Sequence, residues 1–303
     1  MKNKNIISIY NEMGYQLLPN IGFTNAVNFR SMVCNTDDIG LRFNDLKENY
    51  ISIFDENKDQ KKPEIILTGG STAMGMAASS DTKTISSLLS KLTNFHFYNL
   101  AVRAFNGFQE LIMVQSLINN FTNLKKIFIL SGINDLFFFL DPNFSKRFPG
   151  PQVYGHKLYN INKEHLNYFK RIKFYLQRKK KFVINQKINL EEVLNRNLKL
   201  WSLFAKSQNV EVIYFLQPFC TWDLRGLNET IKSNMEYGKN SIMMQMDDSY
   251  NYLKNILFNS CEHNSIKFVD LNEFRLEKDI FVDRVHLNDN GFKLISEIMK
   301  KYT

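Results

Sequence analysis

The chain has 303 residues, of which 44% are hydrophobic and 23% are charged, a composition that suits a globular protein with a buried core. No stretch approaches the roughly 20 apolar residues of a membrane-spanning helix, and the first residues lack the apolar run of a secretory signal. The three cysteines lie far apart in sequence and predict neither a metal site nor a disulfide framework, so we expect a cytoplasmic protein.

The net charge is +9, and much of the excess lies between residues 170 and 182. Aromatic residues alternate with lysines and arginines there, which predicts contact with an anionic partner: a phosphorylated carrier, an acidic glycan or, peripherally, a membrane surface. A solvated helix face with inward-pointing aromatic residues is the alternative interpretation. Because no nucleic-acid-binding motif accompanies the charge, we expect no nucleic acid partner.

Residues 1–63 have weak periodicity and predict an N-terminal arm of short strands and turns that packs on the core, with a polar linker at 57–63. From residue 64 to residue 303, short apolar runs alternate with helical patterns, which predicts one domain. The apolar runs predict five strands, at 64–67, 95–99, 126–130, 210–216 and 266–270. The helical patterns predict helices at 84–92, 109–121, 190–208, 240–259 and 290–302.

This order predicts an α/β fold, specifically a three-layer α/β/α, flavodoxin-like parallel sheet of five strands, because helical crossovers join parallel strands. Prolines interrupt the pattern after residue 141 and a basic helical stretch follows, so we predict an insertion at about 141–206. Open parallel sheets bind their ligands beyond the carboxyl ends of the strands. Candidate functional residues are therefore those that follow the predicted strands.

The first predicted strand ends at Gly69 and Gly70, and Ser71 then lies on a tight turn before a helix. A serine needs an adjacent base to act as a nucleophile. Alternatively, the hydroxyl caps the helix or the glycines cradle a phosphate, although the segment lacks both the lysine of a P-loop and the third glycine of a dinucleotide-binding motif.

His286 follows Asp283 by three residues, a spacing that lets the carboxylate accept the ring Nδ1–H while Nε2 faces outward. A surface histidine beside an aspartate is the alternative. After the third predicted strand, Asn134 carries an amide that can donate to an oxyanion, although asparagine is also common in turns. We expect the segments that carry Ser71, Asn134 and His286 to meet at one edge of the sheet.

Together these segments resemble the motif blocks of the SGNH hydrolases, also called GDSL esterases and lipases. Residues 69–72 (GGST) resemble the nucleophile block, with Gly70 where the family usually has aspartate. Residues 132–135 (GIND) match the Gly-x-Asn-Asp block, and residues 283–286 (DRVH) match the Asp-x-x-His block. The resemblance implies that Ser71 attacks an acyl carbonyl while His286 accepts its proton and Asp283 orients the imidazole.

The same resemblance implies an oxyanion hole built from the N–H of Ser71, the amide of Asn134 and a backbone N–H of the second block. That block begins at Asn99, and the family spacing then places the donor at Ala104, whereas the nearest glycine is Gly107. Both positions remain candidates. No metal or organic cofactor is expected.

Two further residues are candidates for substrate binding. Arg103 is expected to face an anionic group of the substrate, and Trp222 either stacks on a sugar or anchors its own loop. Residues 137–139, all phenylalanine, line an acyl pocket or belong to the core.

The resemblance implies a hydrolase that removes an O-acyl group, with acetyl as the expected group, from a carbohydrate or small ester. An O-acetyltransferase that moves acetyl onto a glycan or nucleotide-sugar hydroxyl is the alternative, and a non-catalytic binding module is a third hypothesis. Residues 38–42 (DIGLR) resemble a segment of family members tied to surface-glycan assembly.

Overall fold

The computed structural model of the chain describes residues 6–45, 50–55, 61–140, 189–222, 242–274 and 280–303. The strands are β1 (Tyr15–Leu18), β2 (Gly22–Asn25), β3 (Asn44–Asp45), β4 (Tyr50–Ile51), β5 (Glu64–Gly69), β6 (His96–Asn99), β7 (Leu124–Ser131), β8 (Glu211–Leu216) and β9 (Lys267–Asp270). The α-helices are α1 (Ile6–Glu12), α2 (Ser71–Met74), α3 (Ile85–Leu92), α4 (Gly107–Leu117), α5 (Ile133–Leu140), α6 (Leu190–Gln208), α7 (Ile242–Asp247), α8 (Tyr250–His263) and α9 (Asp289–Met299).

Strands β5 to β9 form one parallel sheet in the order β6-β5-β7-β8-β9. Counted along the chain, this is the order 2-1-3-4-5 of flavodoxin-like folds, which confirms the predicted fold class. The strand order reverses between β5 and β7, so the crevice at their carboxyl ends is the expected ligand site. Ser71 follows β5 at this edge, and Asn134 lies just after β7.

Side chains alternate between the two faces of the sheet and fill two hydrophobic layers. Ile66 and Ile129 pack on one face with helices α4, α6 and α8. Ile65 and Phe128 pack on the opposite face with α3 and α9. Helices cover β5 on both faces of the sheet, as in other parallel sheets, and all residues of this strand are therefore buried.

The arm, which comprises residues 6–45 and 50–55 of the described chain, packs into both layers. It begins with α1, a helix that the sequence pattern did not predict, and continues in two antiparallel hairpins. Tyr10 and Phe23 are buried in opposite layers of the core. Arg42 is also buried and donates to Asp81 at 2.7 Å and to the carbonyl of Gly75, next to α2, at 2.7 Å.

The helix predicted at 190–208 is confirmed as α6 with the same bounds, and it buries Leu194 and Trp201 against the sheet. The predicted insertion at about 141–206 overlaps this helix at 190–206. Other helices differ from the predictions. The helix predicted at 240–259 is divided into α7 and α8. Helix α5 was missed because its phenylalanine run has no alternation of polar and apolar faces.

Residues 141–188, which hold the rest of the predicted insertion and the basic stretch at 170–182, lie outside the described residues. Over the described ranges, no helix has an apolar segment of the length needed to cross a membrane.

Candidate active site

Ser71, His286 and Asp283 form a continuous hydrogen-bonded line at the carboxyl edge of the sheet. Nε2 of His286 lies 2.9 Å from Oγ of Ser71, and Nδ1 of His286 lies 2.7 Å from Oδ2 of Asp283. These distances are within the range for direct proton transfer. Residues 215 positions apart in sequence are thus brought together as expected from the strand ends.

The turn before Ser71 requires its two glycines for different reasons. Gly69 has φ +149°, and a Cβ there would lie 2.1 Å from the carbonyl oxygen of Leu130. A Cβ on Gly70 would lie 2.5 Å from Nδ2 of Asn134. The turn can therefore bring the start of α2 against the Asn134 amide only because position 70 has no side chain.

Asp283 holds the histidine loop by its own geometry. Its Oδ1 accepts the backbone N–H groups of Val285 at 2.8 Å and His286 at 2.7 Å, while Oδ2 contacts the ring. Burial alone opposes ionisation, but the hydrogen bonds and charge of His286, with the N–H of Val285, outweigh it and hold the pKa of Asp283 below its usual value. The carboxylate is therefore ionised at neutral pH and fixes the ring orientation.

Neighbouring segments fix the same loop to the rest of the edge. The Thr72 hydroxyl, next to Ser71, donates to the carbonyl of Val285 at 3.1 Å. The N–H of Cys220, after β8, donates to the carbonyl of Arg284 at 2.9 Å, and the Arg284 guanidinium contacts both oxygens of Asp247 at 2.9 Å. The loop carrying His286 is thus tied both to α2 and to the segments around α7.

The candidate oxyanion donors lie beside this line. Nδ2 of Asn134 donates one hydrogen to the carbonyl of Phe105 at 2.6 Å, which leaves its second hydrogen for another acceptor. Gly107 donates its N–H to both oxygens of Asp135, at 3.1 and 3.3 Å. Ala104 has φ 65°, and within the described residues its N–H contacts no hydrogen-bond acceptor.

The structure corrects the expectation that Arg103 faces the substrate. The side chain is buried with 4% of its surface exposed, and its guanidinium points into the arm. It donates there to the carbonyls of Tyr10, Met13 and Gly14. The sequence located Arg103 beside the site but held no signal for the direction of its side chain.

Trp222 makes contacts that anchor its own loop, and its stacking on a sugar stays a prediction. Its Nε1 donates to the carbonyl of Met246 at 2.8 Å, and the centroid of its ring lies 5.0 Å from that of Phe219 and 5.3 Å from that of Tyr250. Of the three consecutive phenylalanines, Phe138 is buried and its two neighbours pack partly buried against the core.

A buried polar cluster beneath Asn134 was missed by sequence reasoning. The Ser131 hydroxyl donates to Glu110 at 2.6 Å, and burial together with the charge of Asp135 raises the pKa of Glu110 well above its usual value. Burial also raises the pKa of Asp135 to about 6 and that of the Tyr214 hydroxyl far above its usual value. The one available signal was that apolar residues cover most of the circumference of α4, which is typical of a buried helix.

No family model and no curated protein matches this sequence. Solved structures similar to the chain include a protein described as a lipolytic member of the G-D-S-L family from Desulfitobacterium hafniense DCB-2, with 9% identity and a TM-score of 0.45 over 79% of this chain and 99% of that one. The acetylxylan esterase Axe2 from Geobacillus stearothermophilus has 12% identity and a TM-score of 0.44 over 79% of this chain and 93% of its own.

The salicylyl-acyltransferase SsfX3 from a tetracycline biosynthetic pathway has 12% identity and a TM-score of 0.44, over 80% of this chain and 53% of its own. Likeness at this level establishes neither a shared family nor a shared activity, so a function has to be argued from the site itself.

Proposed function

We propose that the chain is a serine-dependent carboxylic-ester hydrolase of the SGNH type that works through an acyl-enzyme. The observation that carries this proposal is the line from Ser71 through His286 to Asp283, with contacts of 2.9 and 2.7 Å. A non-catalytic binding module has no need for an imidazole held between a serine hydroxyl and an ionised carboxylate. The arrangement is the one that activates a serine nucleophile.

In the first half-reaction, Oγ of Ser71 forms a bond to the acyl carbon while Nε2 of His286 takes the hydroxyl proton. Asp283 stabilises the resulting imidazolium. The bond between the acyl carbon and the alcohol oxygen then breaks as His286 returns the proton to the leaving alcohol. In the second half, water attacks the acyl carbon while His286 takes a proton from the water; the bond between Oγ of Ser71 and the acyl carbon then breaks as His286 gives that proton to Oγ, which releases the carboxylic acid.

The tetrahedral intermediate needs donors that face its oxygen. We assign them to the N–H of Ser71, the free hydrogen of the Asn134 amide and the N–H of Ala104. Ala104 is favoured over Gly107 because the Gly107 N–H already donates to Asp135. A left-handed alanine is uncommon, and such strain is found most often at functional sites.

For the substrate, we propose an O-acetyl ester of a carbohydrate. The support for acetyl and for a glycan is the motif order and the resemblance of residues 38–42 to family members tied to surface glycans. Transfer of acetyl onto a sugar hydroxyl would use the same three residues, with the sugar hydroxyl in place of water. The identity of the acceptor is therefore a measured outcome of the experiment below.

The test compares acetate release from an aryl acetate and from acetylated oligosaccharides by the wild type, Ser71→Ala and Ser116→Ala. Loss of a triad nucleophile is expected to lower kcat by a factor on the order of 10⁴–10⁶. Ser116 lies on the exposed side of α4, so its replacement by alanine is the matched control and should leave kcat unchanged. Undiminished activity of folded Ser71→Ala would refute the proposal.

Mass analysis of the products, with and without unacetylated sugars, then identifies the acceptor. Acetate as the main product supports the hydrolase. Acetylated sugar formed without faster acetate release would assign the chain to the acetyltransferases.

A further inference from the structure

The backbone at Ala104 is in an unfavourable conformation. Its φ of 65° lies in the left-handed region, where an alanine Cβ crowds the neighbouring backbone. For an unconstrained chain, this conformation is disfavoured relative to the right-handed region by about 5- to 30-fold in population. Something in the surrounding structure must therefore hold it.

On the N-terminal side, Arg103 is held by the arm. Its guanidinium donates to Oδ1 of Asn25 at 3.2 Å, to the carbonyl of Tyr10 at 2.5 Å, and to the carbonyls of Met13 and Gly14 at 2.6 and 2.8 Å. The backbone N–H of Arg103 donates to the same Asn25 oxygen at 3.3 Å. These bonds fix the side chain and the main chain of Arg103 together.

The arm also contacts the residue on the other side of Ala104. The ring of Phe105 packs edge-on against Phe23 of β2 at 5.6 Å, and Phe23 packs in the same way against Tyr15 of β1 at 5.2 Å. The Tyr15 ring in turn lies 4.3 Å from the Arg103 guanidinium. Both neighbours of Ala104 therefore rest on one hairpin of the arm.

We infer that Arg103 is a positioning residue: by anchoring the chain to the arm, it holds Ala104 left-handed, with its N–H available to the oxyanion. This inference rests on the proposed function for its catalytic consequence. The arm then has a role in the reaction, because it sets the backbone geometry of Ala104, whose N–H is a proposed oxyanion donor at the edge of the sheet. Arg103 itself does not touch the substrate.

A double-mutant cycle between Arg103→Lys and Ala104→Gly tests the inference. Lysine keeps the charge but cannot reach four acceptors spread around a planar guanidinium, so the anchor loosens and Ala104 relaxes. We expect kcat to fall by about 5- to 30-fold with KM little changed. Glycine adopts positive φ freely and keeps the backbone N–H, so Ala104→Gly should restore most of that loss in the Arg103→Lys background, a gain in kcat that it does not give in the wild type.

A purely structural role for Arg103 gives a different result. Arg103→Lys would then lower the urea midpoint while the folded fraction keeps its kcat, and Ala104→Gly would have the same effect in both backgrounds. That absence of coupling would overturn the inference. Arg30→Lys is the matched control, since Arg30 is an exposed arginine whose described hydrogen bonds stay within the arm.

The urea unfolding midpoints of the same proteins test the role of Arg103 independently of activity. In the wild type, Ala104→Gly relieves a strained position, whereas in Arg103→Lys it relieves nothing and only adds freedom to the unfolded chain. The shift in midpoint caused by Ala104→Gly should therefore be more favourable in the wild type. If no ester is cleaved, the proposed function fails, while the midpoints still test the anchor.

Where Arg103→Lys yields too little folded protein, Tyr15→Leu replaces it in the cycle. It removes the ring that lies beside the guanidinium and against Phe23 but keeps the hydrogen bonds of Arg103, and it should show a smaller coupling with Ala104→Gly in the same direction. Equal effects of Ala104→Gly with and without Tyr15→Leu would count against the inference.

Discussion

Replacing Asp135 with asparagine changes a buried charge without changing the shape of the side chain. Asp135 is 7% exposed, and its carboxylate accepts the N–H of Gly107, a bond that an asparagine oxygen can also accept. Burial raises the pKa of Asp135 from 3.8 to about 6. The aspartate therefore destabilises the folded protein when it is ionised, and asparagine does not.

The magnitude follows from proton linkage. Between the unfolded pKa of 3.8 and the folded pKa of about 6, the native state binds more protons than the unfolded state, so stability falls as the pH rises through this window. A shift of about two units corresponds to about 3 kcal/mol. The stability of Asp135→Asn relative to the wild type should thus rise by about 3 kcal/mol from about pH 4 to about pH 7.

The charge of Asp135 also raises the pKa of Glu110. Its removal makes ionised Glu110 less destabilising, which adds to the gain in stability that we expect for Asp135→Asn at higher pH. Urea unfolding of both proteins across this pH range measures the difference. Asp248→Asn, at an exposed position between α7 and α8, is the control and should follow the wild type. A difference between Asp135→Asn and the wild type that does not change with pH would refute the reasoning.

Three further predictions concern kcat, measured by steady-state kinetics on an aryl acetate. Asn134→Ala removes a proposed oxyanion donor and should lower kcat by a factor on the order of 10²–10³ with little change in KM; an unchanged kcat would exclude Asn134 from the oxyanion hole. Gly70→Ala places a Cβ 2.5 Å from the Asn134 amide and should cause a similar loss, whereas full activity would mean that the amide can shift without cost. Asp283→Asn leaves the ring of His286 in the wrong tautomer and should lower kcat by a factor on the order of 10⁴, and a loss below tenfold would contradict its orienting role.

The sheet and the line of three residues were accessible from sequence because both follow from local patterns. Apolar runs closed by glycines located β5 and β7 to within two residues at each end. The rule that ligands bind at the carboxyl ends of strands then selected Ser71 and Asn134. His286 was found because a neighbouring aspartate at the right spacing is a local signal.

What escaped prediction depends on the direction of side chains and on contacts between distant segments. Arg103 follows β6 closely, yet only the fold determines that its side chain enters the arm. The proposal of Ala104 rather than Gly107 as an oxyanion donor rests on the hydrogen bond from Gly107 to Asp135, which no spacing reveals. Glu110 was missed for the same reason, since its partner Ser131 belongs to another element.

Covalent trapping tests the central claim most directly, because a small fluorophosphonate reacts much faster with a serine whose hydroxyl is activated by an adjacent base than with other hydroxyl groups. Intact mass and peptide mapping should find one adduct, on Ser71, and His286→Gln should slow its formation by orders of magnitude. Adduct formation at another residue, or at an equal rate in His286→Gln, would contradict the assignment of these two residues as nucleophile and base.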